Sequence, residues 1–535
     1  MQTFFFSTYR SLDVEMPFLK NKGVSDKLAV FYSDGNLSDY DKKEDYYVAN
    51  LGCLIYEDKF NRKALELLVC DSCLNRYEKA CGQFVILTAF KDVINIVTDK
   101  YGTIPVYMKR TGKGLEVSNV YSLLVDGDCT INRDHVKKLI EVDWSYPEFY
   151  GTTLHNEITY LSPATKHSFD VNTGELTERR YAPPSYYDLS FDELIDCLED
   201  RVESNFEFLK GINGKVFCDV TGGFDTRLNV EYVLRNCKKY VFGNDISNND
   251  RHLIDGKFSD FNIVEEIKSR LGIACCDNRG CESEIKEAVN HPEYEEYRRY
   301  NDSHIMSDKR FINNLMLINK SGTVENPVLR VTGWCGTELL TLKPSNEGDD
   351  FKDGLSIWRK SFMNCQQNYW GVANLLIPHY SPYLDLLDIL IHIPRGYKTG
   401  YRIQRALYNR VMRKELRNIT TTHGFPSCGV TWGNFYKFLR LFNPFNDYNC
   451  QYIGIVKRSI RWAKGKLIYY SPLYKSSLKW IGKLFGYDMD FLDRNYDEVT
   501  KYIESGALNR KFLNRQQLLW LKKLNNILNN FKNVI

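Results

Sequence analysis

The residues with the clearest chemical character lie between positions 216 and 233, where a short apolar run meets two glycines, two threonines and an aspartate. The run Val216–Val220 predicts a buried strand, and Arg227–Val233 can begin a helix. The glycines of the Thr221-Gly-Gly-Phe-Asp-Thr226 segment allow the backbone to turn tightly beside an oxyanion, which the first N–H groups of the helix also face. Asp225 is placed to hold a cation, because Mg²⁺ prefers hard oxygen ligands. The pattern therefore predicts a phosphate-binding turn, and the alternative is a plain strand-turn-helix connection.

A second glycine turn occurs at residues 328–338, in the segment Val-Leu-Arg-Val-Thr-Gly-Trp-Cys-Gly-Thr-Glu. It repeats the plan of strand, glycine turn and acidic residue. Such a repeat predicts a second loop at the same edge of a parallel sheet, where ligands bind at the carboxyl ends of the strands.

The first turn resembles the Ser/Thr-Gly-Gly-x-Asp-Ser/Thr loop of the ATP-pyrophosphatase enzymes, which cleave ATP to AMP and pyrophosphate. The second resembles the Ser-Gly-x-Gly-x-Asp-Glu signature of the asparagine synthetases. Two positions depart from that signature: Thr337 replaces the Asp that serves as second magnesium ligand, and Trp334 stands where many members carry an acid. The longer side chain of Glu338 could take over the metal contact.

Other segments fit the same resemblance. Tyr240–Gly243 predicts the next strand, and Asp260–Gly272 predicts an amphipathic helix closed by glycine. The segment Tyr401–Leu407 resembles the Lys-x-x-Leu-Arg helix of the family, with Tyr401 in place of the lysine. Lys398, Arg402 or Arg405 could supply the missing cation, since a positive group must stand near the developing charge.

The N-terminal part resembles a glutaminase domain, with Gln83-Phe-Val-Ile-Leu-Thr-Ala-Phe, Asp99-Lys-Tyr-Gly102 and Pro105-Val-Tyr-Met in the expected succession. A working glutaminase of this type uses a Cys uncovered by removal of the initiator Met. This chain has Gln2 there, and its first cysteine is Cys53. We therefore expect no glutamine hydrolysis, and ammonia or an amine as the nitrogen donor.

The amino-acid composition limits the partners and the cellular location to be expected. The net charge of +3 implies no general affinity for nucleic acid. The 15 cysteines and the lack of a secretory signal or a ~20-residue apolar run favour a cytoplasmic location with reduced thiols. Cys70 and Cys73, with Cys81, have metal-like spacing, but buried or surface thiols are the favoured interpretation.

Residues 456–483 include many basic and aromatic side chains and no acidic one. This segment can contact an anionic membrane surface, an acidic partner or a lipid-linked substrate, or it can be a solvated helical face, which is favoured. Residues 514–528 predict an amphipathic helix.

The resulting prediction is an α/β chain with three parts: an Ntn-hydrolase-like β-sandwich at 1–180 without its nucleophile, an adenine-nucleotide α-hydrolase-like parallel sheet at 187–445, and a helical extension at 446–535. A linker at 180–185 contains two prolines, and the Ser190–Val202 helix opens the second part.

The resemblance implies ATP and Mg²⁺ as cofactors and a reaction that adenylates a carboxylate and forms an amide, in surface polysaccharide or peptide modification. The alternative is an inactive nucleotide-binding pseudoenzyme, and the oligomeric state stays open. The implied nucleotide-binding residues are Thr221, Gly222, Gly223, Asp225, Thr226, Phe242, Thr332 and Gly333. The implied metal ligands are Asp225 and Glu338, and the implied catalytic residues are Asp225, Glu338, Arg402 and Arg405.

Overall fold

The structure is a computed structural model, and it has a mixed α/β architecture with two antiparallel sheets and one parallel sheet. It describes residues 4–8, 20–25, 28–32, 46–70, 74–90, 92–112, 114–135, 152–180, 189–244, 260–277, 287, 290, 291, 294, 328–334, 336–340, 376–390, 393–398 and 401–421.

Two six-stranded antiparallel sheets form the N-terminal part, with strand orders β10-β8-β9-β1-β3-β2 and β12-β11-β7-β6-β4-β5. Their strands are β1 (Phe4–Ser7), β2 (Lys20–Ser25), β3 (Leu28–Tyr32), β4 (Tyr46–Tyr56), β5 (Lys59–Phe60), β6 (Cys81–Phe90), β7 (Val93–Thr98), β8 (Tyr107–Thr111), β9 (Gly114–Ser118), β10 (Ile158–Tyr160), β11 (Thr165–Asp170) and β12 (Leu176–Arg180). The segment 83–90, which resembles part of a glutaminase domain, lies in β6.

Strand β6 has two apolar faces, since both of its sides are covered. Val85 and Leu87 join the core cluster that contains Phe4 and Phe6 of β1, whereas Ile86 packs in a second cluster with helix α1 (Arg62–Cys70). A strand buried on both faces reads as a continuous apolar run, which explains the sequence Phe84–Leu87.

The third sheet has five parallel strands in the order β15-β14-β13-β16-β17. Its strands are β13 (Val216–Asp219), β14 (Tyr240–Asn244), β15 (Cys275–Asp277), β16 (Leu329–Val331) and β17 (His379–Tyr380). The two glycine turns therefore leave adjacent strands, β13 and β16, at the same edge.

The accompanying helices are α2 (Phe191–Glu207), α3 (Asp225–Asn236), α4 (Asp260–Leu271), α5 (Gly336–Leu340), α6 (Leu387–Leu390), α7 (Arg395–Lys398), α8 (Arg402–Val411) and α9 (Lys414–Arg417). Short 3₁₀ turns cover Leu74–Lys79, Tyr121–Leu124, Phe208–Gly211 and Leu384–Leu386. Helix α2 begins with a complete capping box between Ser190 and Glu193, and Gly272 ends α4 at φ +63°. Helix α3 begins at Asp225, two residues before the predicted start.

The sandwich and the parallel sheet share a core. Cys53, Ile55 and Tyr101 of the N-terminal part pack in the same apolar cluster as β13, β14 and β16. The rings of Phe60 and Phe208 stack across the same contact at 5.8 Å. The predicted boundaries 1–180, 187–445 and 446–535 stay predictions.

The predicted segments at 456–483 and 514–528 lie outside the described residues, as does Cys73. Within the described ranges, no helix is long and apolar enough to cross a membrane.

Candidate active site

The first glycine turn is closed by its own two threonines. The Thr221 N–H donates to the Thr226 Oγ1 at 3.0 Å, and the two hydroxyl oxygens are also 3.0 Å apart. The Gly223 N–H donates to the Thr221 Oγ1 at 3.3 Å. The hydroxyls predicted to face phosphate thus hold the shape of the loop in this structure.

The turn opens onto the start of helix α3. Phe224 occupies the N-cap position of α3, and its side chain makes no hydrogen bond to the first N–H groups of the helix. A Cβ added at Gly223 would meet only the Thr221 Oγ1, at 3.5 Å, among the described residues. An uncapped helix start beside an open glycine suits an anion.

One amide of the turn is held by a side chain from another helix. The Gly222 N–H donates to the Asp260 Oδ1 at 2.6 Å, and Asp260 is the first residue of α4. A carboxylate oxygen therefore takes a donor that the sequence assigned to phosphate.

The second glycine turn packs directly on the first. A Cβ at Gly333 would lie 2.8 Å from the Thr226 nitrogen, and one at Gly336 would lie 2.6 Å from the Asp225 Cγ. Contacts this short require glycine at both positions, because any side chain would force one loop away from the other. The two predicted motifs are therefore brought together at Asp225.

Thr332 and Glu338 were the other predicted residues of this second turn. The Thr332 Oγ1 is buried and has no hydrogen-bond partner among the described residues, whereas the Thr332 N–H pairs with the Tyr380 carbonyl at 2.9 Å. A buried hydroxyl without a partner is a position where a ligand atom would be stabilised. Glu338 lies in α5, and its side chain is outside the described part of the chain.

Asp225 is half-buried and is held by helix α8. The Gln404 Nε2 donates to the Asp225 Oδ1 at 2.9 Å, and Gln404 is fully buried. The Tyr383 hydroxyl donates to the Asp225 carbonyl at 2.7 Å and lies 2.9 Å from the Tyr408 hydroxyl. These contacts fix the orientation of the candidate metal ligand.

Tyr401, in the place of the family lysine, packs against the turn with its ring. It has a left-handed backbone at φ +60°, and its ring stacks on Phe224 with centroids 4.9 Å apart. The Arg402 guanidinium lies over the rings of Phe191, at 4.1 Å, and Tyr397, at 5.7 Å. The structure therefore does not bring Arg402 to Asp225.

Two further cations lie close in sequence. Arg405 is half-buried and lies three residues before Tyr408 on α8. Lys398 ends α7 and is 5% exposed, and burial lowers its pKa to about 8.

Phe242, predicted to bind nucleotide, is part of the apolar core in the structure. Its side chain is 1% exposed and belongs to the apolar core, with the Tyr240 ring 5.0 Å away. Its ring serves packing, so a contact of this strand with nucleotide would use the backbone.

Arg227 is a residue of the site that the sequence interpretation did not single out. It is fully buried, and its guanidinium donates to the carbonyls of Gly222 at 3.2 Å, Ile419 at 2.5 Å and Thr420 at 2.6 Å. It ties the turn to the segment after α9. Its place immediately after the Gly-Gly-x-Asp-Thr pattern was the available signal.

A buried ion pair lies just before the turn. The Asp219 Oδ1 accepts from the Arg330 Nε at 3.0 Å and Nη2 at 2.8 Å, across strands β13 and β16. His379 neighbours Arg330 on β17, and burial together with the Arg330 charge lowers its pKa to about 3. Arg330 thus balances a carboxylate two residues from Thr221.

The environments of Cys53 and Cys81 do not activate their thiols as nucleophiles. Burial, with the nearby Asp385 charge, raises the pKa of Cys53 well above its usual range and that of Cys81 to about 11. Both thiols therefore stay protonated near neutral pH. Among the described residues, no group of three or more His, Cys, Asp or Glu side chains is arranged to hold a metal ion.

No protein-family model matches the chain, and no curated protein matches it. Part of the chain is similar to a solved structure of glutamine phosphoribosylpyrophosphate amidotransferase from B. subtilis complexed with ADP and GMP, with 13% identity, a TM-score of 0.18, and coverage of 41% of this chain and 51% of that one. It is also similar to a structure described as the allosteric regulatory enzyme of purine biosynthesis, with 11% identity, a TM-score of 0.20, and coverage of 45% and 59%. The chain thus spans less than two thirds of the length of either of these proteins.

Proposed function

We propose that this chain is an ATP-dependent, amide-forming ligase of the asparagine synthetase type. It would adenylate a substrate carboxylate, transfer ammonia or an amine to it, and release AMP and pyrophosphate. The observation that carries the proposal is the meeting of two glycine turns at Asp225, with Gly336 so close that a Cβ would lie 2.6 Å from the carboxylate carbon.

In this proposal the chain mainly binds and orients ATP. The start of α3 and the open surface at Gly223 receive the pyrophosphate, and the Thr332 hydroxyl lies on the neighbouring strand end. Gln404 holds the Asp225 carboxylate in one orientation. Mg²⁺ bound there, with Glu338 as the second candidate ligand, would neutralise the departing pyrophosphate.

The proposed nitrogen donor is ammonia or an amine. A glutaminase needs an activated nucleophile, and burial raises the pKa values of Cys53 and Cys81. Incubation of the purified protein with glutamine should release no glutamate. Glutamate formation above that of a boiled control would contradict this part of the proposal.

The second candidate function is a nucleotide-binding pseudoenzyme. Two observations favour it: Asp260 occupies the Gly222 amide at 2.6 Å, and Tyr401 stacks on Phe224 where the family has a lysine. Binding without turnover is the expected behaviour of such a protein.

The deciding experiment measures pyrophosphate and AMP release from ATP and Mg²⁺, with and without a pool of carboxylates and an ammonium salt. Carboxylate-dependent release in equal amounts would support the ligase, and Asp225→Ala should reduce it by at least about 100-fold. ATP binding with no turnover in any pool would favour the pseudoenzyme. Equal turnover by Asp225→Ala and the wild type would refute the site.

A further inference from the structure

The N-terminal sandwich touches the parallel-sheet part through the beginning of strand β6. The Gly82 N–H donates to both carboxylate oxygens of Asp385, at 3.0 and 2.9 Å. Gly82 has φ +95°, and a Cβ there would lie 2.1 Å from the Cys53 carbonyl oxygen, so only glycine fits. Nearby, Asp388 lies 3.7 Å from the Lys100 Nζ and 3.3 Å from the Arg201 Nη1.

The next residue, Gln83, pairs with the backbone of Ser381. Its Oε1 accepts from the Ser381 N–H at 2.7 Å, and its Nε2 donates to the Ser381 carbonyl at 3.2 Å. Both residues are fully buried. Ser381 follows β17, and the Gln83 carboxamide pairs with the N–H and the carbonyl of Ser381 as the backbone of a neighbouring strand would. Loss of this side chain would take from the buried Ser381 N–H its partner, at a cost of about 1–3 kcal/mol, whereas the Ser381 carbonyl would keep the Leu384 N–H at 3.3 Å.

Ser381 in turn holds the second glycine turn. Its Oγ donates to the Trp334 carbonyl at 2.6 Å. Trp334 stands between Gly333 and Gly336, which pack on Thr226 and Asp225. A continuous series of contacts therefore runs from the sandwich through Gln83, Ser381 and Trp334 to Asp225.

We propose that the N-terminal sandwich is a positioning module for the second glycine turn, and that Gln83 is the positioning residue through which it acts. The inference rests on the proposed nucleotide site for its effect on ATP, while its effect on the turn can be measured separately. Gln83 is too far along this series to touch substrate, so it acts by fixing where residues 333–336 lie. The sandwich thus has a role that requires no glutaminase chemistry.

The test compares the full-length wild type with Gln83→Met, which keeps the side-chain length but removes the carboxamide, and Ser381→Ala, which removes only the hydroxyl. Leu65→Ala is the matched control, because Leu65 is fully buried in the sandwich cluster around α1. It should destabilise the fold by about 2–5 kcal/mol without touching Ser381. Amide hydrogen exchange of peptides covering residues 328–340 and calorimetric titration with Mg·ATP are measured for all four proteins.

We expect Gln83→Met and Ser381→Ala to increase exchange at residues 328–340 by about tenfold, and to weaken Mg·ATP binding by at least about fivefold, whereas Leu65→Ala does neither. Unchanged exchange in both variants, or an equal increase in Leu65→Ala, would overturn the inference. If the wild type binds no Mg·ATP, the proposed nucleotide site fails, and the exchange result still decides whether Gln83 holds the turn.

Discussion

Gly336 lies so close to Asp225 that even the methyl group of alanine should disturb the site. In Gly336→Ala, the new Cβ would lie 2.6 Å from the Asp225 Cγ, 2.7 Å from its Oδ1 and 2.8 Å from its Cβ. Ordinary contact begins at 3.4 Å, so the carboxylate and α5 must separate by about 0.8 Å. That movement also strains the 2.9 Å bond from Gln404.

A displacement of about 1 Å in a reacting constellation costs about 100-fold in rate. We therefore expect kcat/KM for pyrophosphate release to fall by about 100-fold in Gly336→Ala. The free energy of unfolding should fall by about 1–3 kcal/mol, because the new Cβ overpacks the contact with Asp225.

The assay is coupled pyrophosphate release, with the melting temperature measured on the same samples. Gly211→Ala is the matched control, since Gly211 is exposed and a Cβ there meets nothing within 4 Å. Wild-type kcat/KM in Gly336→Ala would refute the reasoning. So would an equal loss of activity in Gly211→Ala, because that loss could not arise from Asp225.

Three further predictions concern stability. Arg330→Met should lower the free energy of unfolding by about 3–5 kcal/mol, because the buried Asp219 carboxylate loses the Arg330 charge and both of its hydrogen bonds. Denaturant titration measures this, and a loss below about 1 kcal/mol would contradict the pairing. Burial raises the pKa of Asp99 to about 7 and that of Asp385 to about 6. The folded state therefore binds more protons than the unfolded chain in this range. We expect the free energy of unfolding to fall as pH rises from about 4 to about 7, because both carboxyls must then ionise while buried. Asp385→Asn removes one of these ionisations, so its stability relative to the wild type should be higher at pH 8 than at pH 5, and a pH-independent difference would argue against the raised pKa.

Structural features that depend only on residues close in sequence were predictable from the sequence. The capping box of Ser190 and Glu193 and the left-handed Gly272 act over a few residues, so they appear in any local window. The apolar run before Thr221 also indicated strand β13 correctly. The start of α3 was placed two residues late, because Asp225 was assigned to the loop when it forms the first turn of the helix.

The environment of each candidate site residue was decided by the tertiary structure. Gln404 reaches Asp225 across 179 residues, and Arg227 reaches Thr420 across 193. Arg402 was predicted near the nucleotide, yet it lies over Phe191 and Tyr397, because cation–aromatic contact and the orientation of α8 decide where its side chain goes.

The sequence by itself determined which chemical groups are present and the order of strand, turn and helix around them, since periodicity and glycine placement are local properties. Only the folded chain decided that Gly333 and Gly336 lie against Thr226 and Asp225, and that Gln83 holds Ser381. Contacts between distant residues depend on how whole elements pack, and a short motif carries no information about its neighbours in space.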